Sequence, residues 1–123
     1  MDSGVRIVRL YADAAGESHF EDTVVPLRTV DFAPPAPPVE LSEFTATSQT
    51  GFLRAPAGWF GDWHPAPARQ YMSILAGTVE VEVSDGEVRR AGPGDVMLLE
   101  DTHGKGHATR VIDGPILVLV VQL

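Results

Sequence analysis

The sequence contains no cysteine, which excludes disulfides and thiolate metal sites and fits a reducing cytoplasm. No apolar run approaches the roughly 18–20 residues needed to span a bilayer. The longest run, PILVLVV (115–121), suits a buried strand. The opening MDSGVRIVRLYADA lacks a basic segment followed by an apolar one, so no export signal is expected. Positive charge is scarce: 9 Lys and Arg stand against 17 Asp and Glu, and the net charge of −8 disfavours nucleic-acid backbones and anionic membranes as partners. Neither a basic patch nor a helix-turn-helix is present to make the chain a one-chain transcription regulator. Sustained helical periodicity is also missing.

What remains is a chain of 123 residues, 44% hydrophobic and 21% charged, long enough for one core and not for two. Short strand-like segments separated by Gly and Pro run through most of it. VRIVRLY (5–11) reads as a strand, GESHFED (16–22) as a loop or turn, and VVPLRTV (24–30) as a Pro-interrupted edge strand. FAPPAPPVE (32–40) carries Pro34, Pro35, Pro37 and Pro38 and predicts extended, polyproline-like chain. Residues 1–43 therefore read as an N-terminal strand and Pro-rich arm. VRIVRLY has little to bury against within so small a barrel, which predicts a homodimer built through the arm.

From residue 44 to 123 the pattern is steadily β. FTATSQT (44–50) and FLRAP (52–56) read as strand pieces broken at Gly51. QYMSILA (70–76) and TVEVEVS (78–84) read as two strands meeting at a sharp bend at Gly77. Val79, Val81 and Val83 alternate with Glu80 and Glu82, the period of a half-buried strand. Asp85-Gly86 predicts a two-residue type I′ hairpin to EVRRA (87–91). DVMLLE (95–100), HATRVI (107–112) and ILVLVVQL (116–123) complete the series, separated by a loop at 101–106 and a turn at 113–115. Many short strands with Gly/Pro turns mean an all-β sandwich or barrel.

Within residues 44–122 the chain resembles a small single-domain bacterial cupin. The resemblance rests on Gly77, Asp85-Gly86 and Gly92-Pro93-Gly94-Asp95, and on two histidine-bearing half-motifs. In DWHPAPARQY (62–71), the first motif's two His positions fall on His64 and Ala66 and its Glu position on Gln70. In GPGDVMLLEDTHGKGH (92–107), Gly94-Asp95 and the following strand match, Glu100 stands where Pro is usual, and a longer loop brings His107 to the ligand position. The resemblance implies a cupin-type double-stranded β-helix, or jelly-roll, barrel with an N-terminal arm. It also implies a divalent metal (Fe, Zn, Ni, Mn or Cu) at the barrel mouth, held here by a degenerate set of His64, Gln70 and His107. Gln70 coordinates only weakly through its carbonyl oxygen. His103 on the long loop and His19 on the arm are imidazoles off the motif positions.

Two functions follow. As an enzyme, the chain would use the metal, with His64 and His107 as catalytic residues, for oxygenation, isomerisation, cyclisation or proton abstraction; without metal either imidazole can act as general base. As a binding module, it would hold a small molecule by Trp59, Trp63, Tyr71 and Gln70. Each residue also has a plainer role: rim histidines satisfied by hydrogen bonds, a Gln that orients water, and aromatics filling a small barrel. Arg69 is expected on the face opposite Gln70, Glu80, Glu82 and Glu87 on a solvated strand face, and Glu100 as a loop cap. Fold by itself does not choose between the two functions.

Overall fold

The computed structural model describes residues 4–123, so the first three residues of the arm lie outside it. Every regular element among the described residues is a strand. In chain order they are β1 (Gly4–Ala12), β2 (Ser18–Pro26), β3 (Arg28–Val30), β4 (Val39–Leu41), β5 (Gln49–Ala55), β6 (Phe60–His64), β7 (Gln70–Val83), β8 (Val88–Ala91), β9 (Val96–Leu99) and β10 (His107–Gln122).

Two long antiparallel strands, β7 and β10, form the spine, and both bend in the middle. Gly77 takes a φ of 81° at the bend of β7, where a side chain would press on the carbonyls of Asp113 and Pro115. Only glycine meets both demands without strain. Opposite it, the β7–β10 register shifts between Val111 and Asp113 and again between Asp113 and Leu117. The turn expected at 113–115 is thus a bend inside one strand.

Bending lets the same two strands serve two sheets. On one side of the bend, β9 pairs with Gln70–Ser73 and β5 with Ile116–Gln122, and β1 and β2 extend the β9 edge. On the other side, β8 pairs with Val79–Glu82 and β6 with His107–Arg110. The sheets fold over one another around a core that includes Ile74, Val79, Val81, Val83, Leu99, Val111, Ile116 and Val118. This is the jelly-roll, cupin-type barrel that the sequence predicts. In β7 the three valines are buried, Glu82 is exposed and Glu80 half-buried, as the period of two requires.

Several local expectations change. GESHFED is not a loop, because β2 begins at Ser18 and pairs residue by residue with β1. Ser18 and Phe20 point inward and are buried, so a polar-looking segment still supplies a core face. VRIVRLY likewise buries more than expected: Val8–Leu10 pair in parallel with Met97–Leu99, and Leu10 is 0% exposed. Gly51 does not break β5, which runs through it, while residues 44–48 form no strand. The β7–β8 turn is not type I′, since only Gly86 has positive φ. Instead the Gly86 amide donates to the Val83 carbonyl (3.0 Å) and Glu87 N–H to Asp85 Oδ1 (2.9 Å), a three-residue loop closed by a left-handed glycine. Beyond the barrel, β3 and β4 make a separate two-stranded ribbon flanking the Pro-rich segment.

Candidate functional site

The last residue of β6 and the first of β10 are cross-strand partners, and they are His64 and His107. Their ring centroids lie 5.1 Å apart. The approach depends on Gly106, whose φ is 72° and where a Cβ would overlap the backbone of His64 and Pro65. Sequence separation of 43 residues is thus removed by one strand pairing and one glycine.

Each imidazole has one nitrogen committed. His64 Nδ1 lies 2.8 Å from the Pro65 carbonyl oxygen, which can only accept, so Nδ1 carries the hydrogen. His107 Nδ1 lies 2.6 Å from Asp101 Oδ2, a contact in which both side chains are buried. A carboxylate there accepts as well, so both rings present Nε2 as the nitrogen with a free lone pair. A histidine that donates its second N–H to a carbonyl or carboxylate is the usual arrangement of a metal-holding imidazole.

Asp101 escapes the sequence analysis. It is fully buried, its Oδ1 has no hydrogen-bond partner among the described residues, and its backbone carbonyl accepts from Ala66 N–H at 2.9 Å. The signal available in the sequence is an acid at the end of a buried strand, six residues before the motif histidine. Glu100 beside it caps the strand, as expected, and does more. Its amide donates to the Leu10 carbonyl (2.7 Å), and its carboxylate accepts from Arg9 and from Arg69 Nε (2.7 Å) and Nη2 (2.6 Å). Burial pushes the Glu100 carboxyl up, but the two guanidiniums outweigh it and hold it below the usual carboxylate range.

His64, Gln70 and His107 all line one cavity of about 210 Å³ enclosed by both sheets. Gln70, first in β7, is buried; its Oε1 accepts from Gln122 Nε2 (3.0 Å) and its Nε2 points to the Met72 sulfur (3.6 Å). Trp59 lines the cavity at its rim, whereas Trp63 and Tyr71 face separate surface hollows. His103 is exposed and not at the cavity. His19 is engaged at the surface, Nε2 with Asp13 Oδ2 and Nδ1 with Asp85 Oδ2, each at 2.8 Å. Ala66, at the second motif-histidine position, is buried in the core.

No cluster of three or more His, Asp or Glu placed to share a metal occurs among the described residues. Two imidazoles with Nδ1 committed are donors of the kind that suits a divalent ion, whereas the Gln70 oxygen already accepts from Gln122 Nε2.

The chain is similar to dimethylsulfoniopropionate lyase DddQ of Ruegeria pomeroyi, at 39% identity over 66 residues. That match spans 54% of this chain and 32% of the lyase, about a third of the enzyme's length. No family model matches. Among solved structures, the conserved SPY1581 protein of Streptococcus pyogenes aligns with a TM-score of 0.50 and 21% identity, covering 66% of this chain and 68% of that one. The Cnp3 cupin domain of Schizosaccharomyces pombe aligns over 99% of this chain and 88% of its own, with a TM-score of 0.48 and 15% identity. With its spine strands bent at Gly77 and Pro115 and its two motif histidines paired at one end of the barrel, the chain has a cupin-type jelly-roll fold.

Proposed function

We propose that this cupin-fold chain is a small-molecule enzyme that holds a divalent ion through Nε2 of His64 and Nε2 of His107, with the Gln70 amide oxygen as a weak third donor. The observation that supports the reading is the commitment of both Nδ1 atoms, which leaves an Nε2 lone pair on each of two rings that line one cavity with centroids 5.1 Å apart. When bound, such an ion would polarise a substrate oxygen as a Lewis acid. The chain's own residues do the rest. Asp101 fixes the His107 ring, the aliphatic walls exclude water, and Trp59 bounds the entrance. Without the ion, either imidazole could instead take a proton at Nε2 from a carbon beside a carbonyl.

The lyase's named substrate is a sulfonium carboxylate, and the cavity wall has neither a cation for the carboxylate nor a carboxylate for the sulfonium. Kinship to the lyase therefore supports enzyme chemistry more than that particular substrate. The absence of cysteine suits the cytoplasm as the place of work. A homodimer belongs to the same proposal: β5 is an edge strand with six of seven residues exposed, Phe52 at 75%, and open edges of this kind recruit another chain. Sedimentation giving only the 13.2 kDa chain would contradict the dimer.

A second reading has its own support. Without a third His, Asp or Glu, the site also suits a metal-free pocket in which His107, backed by Asp101, is base or hydrogen-bond acceptor. Elemental analysis separates the two readings, after loading with Mn, Fe, Ni, Cu or Zn. The metal reading expects about one equivalent of one ion, lost in His64→Ala and His107→Gln. No retained ion in the parent chain would overturn it in favour of the metal-free pocket.

A further inference from the structure

The cavity wall carries no charged side chain. Its polar groups are His64, Gln70, His107 and Thr109, and the rest is aliphatic, thioether, proline and one indole. Several ionic groups nearest in sequence are occupied elsewhere. Arg69, beside Gln70, sets Nε and Nη2 on Glu100 Oε2; Asp101 stands behind His107; Lys105 is 2.7 Å from Glu17. Arg110, beside Thr109, lies over the Phe60 ring at 5.3 Å. Arg54, between the lining residues Leu53 and Ala55, and Glu82, beside Val81, are exposed, as the alternation of a strand requires, and neither is on the cavity wall. A buried ion without a counter-charge is costly, so such a wall rejects charge as firmly as it accepts hydrocarbon. Size adds a bound. The cavity of about 210 Å³ holds roughly seven waters at ~30 Å³ each, which bounds the enclosed part of a ligand to roughly ten non-hydrogen atoms.

We propose that the ligand's buried body is an uncharged, apolar molecule of roughly ten non-hydrogen atoms that presents one polar function to the His64–Gln70–His107 end. This rests on the reading above that those three residues are the reacting end, but the charge preference belongs to the walls and stands without a metal.

The test uses EDTA-treated protein and three probes of one shape: benzyl alcohol, benzoate and benzylammonium. Binding is read from the methyl resonances of Ile74 and Ile116, both buried and both on the cavity wall. Benzyl alcohol is expected to shift them and to bind about tenfold or more tightly than either ion. Leu53→Arg places a cation on the half-exposed rim and should raise benzoate affinity relative to benzyl alcohol. Equal or better binding of either ion to the metal-free parent chain, or no methyl shift with any probe, would overturn the inference. Adding Zn²⁺ then separates the two claims. A rise in benzoate affinity on adding zinc supports the metal site, and its absence counts against the metal while leaving the wall's preference intact.

Discussion

Two histidines in this molecule sit against carboxylates, and they differ in what they leave over. His107 gives one nitrogen to buried Asp101 and turns the other to a cavity. His19 gives both nitrogens to carboxylates, Asp13 and Asp85, at a partly exposed surface with the Tyr11 ring 5.4 Å away. The first arrangement has a lone pair to spend on a ligand; the second is a clasp. It ties the β1–β2 turn to the β7–β8 turn, reinforced by Ser84 N–H donating to Ser18 Oγ at 2.8 Å. An imidazole's availability, more than its proximity to acid, separates function from scaffolding.

Breaking the buried member should cost most. His107→Ala strands a fully buried carboxylate, and urea unfolding should show a loss of about 3–5 kcal/mol. Removing His19 should cost far less in the same assay, and comparable losses would erase the distinction. Next comes Asp101→Asn, which keeps an acceptor of similar shape. Zinc affinity is expected to fall about 10–100-fold with the fold intact, and unchanged affinity would deny Asp101 its orienting role. Gly106→Ala forces a left-handed non-glycine residue, at about 1–3 kcal/mol, and pushes His64 from His107. Its zinc affinity should drop along with stability, and a variant that unfolds more easily yet binds zinc normally would show that the two rings need not touch.

The smallest effect is a pH dependence. Hydrogen bonds to Asp13 and then to Asp85 raise the His19 pKa above its ordinary 6.5. A raised folded-state pKa means that the clasp's contribution is complete below about 6.5 and fades as pH climbs through the folded value. The stability difference between the parent chain and His19→Gln should therefore be larger at pH 6 than at pH 9. A difference that grows with pH would mean that His19 is not held as a cation.

The barrel was legible because its signals are local. Val79, Val81 and Val83 announce a half-buried strand, and Gly77 announces its bend. Motif spacing brought His64, Gln70 and His107 to one place on paper, and all three line the cavity. Less visible was anything that depended on a partner strand. Ser18–Asp22 looks like a loop until β1 offers it a ladder, and Asp85-Gly86 looks like a I′ turn although Asp85 Oδ1 instead takes the Glu87 amide in a three-residue loop. Asp101 was hidden for the same reason, since its role is defined only by the ring it meets. Residue type alone groups Trp63 and Tyr71 with Trp59, but it does not say which side of a strand each occupies.

The most direct measurement is the tautomeric state of the imidazoles by long-range ¹H–¹⁵N correlation in metal-free protein, with a zinc titration. Neutral His64 and His107 should both carry hydrogen on Nδ1 and none on Nε2, and zinc should shift both Nε2 resonances. His19 at pH 6 should be protonated on both nitrogens and indifferent to zinc. Hydrogen on Nε2 of His64 or His107 would contradict the account, because the lone pairs on which the site depends would then face away from the cavity.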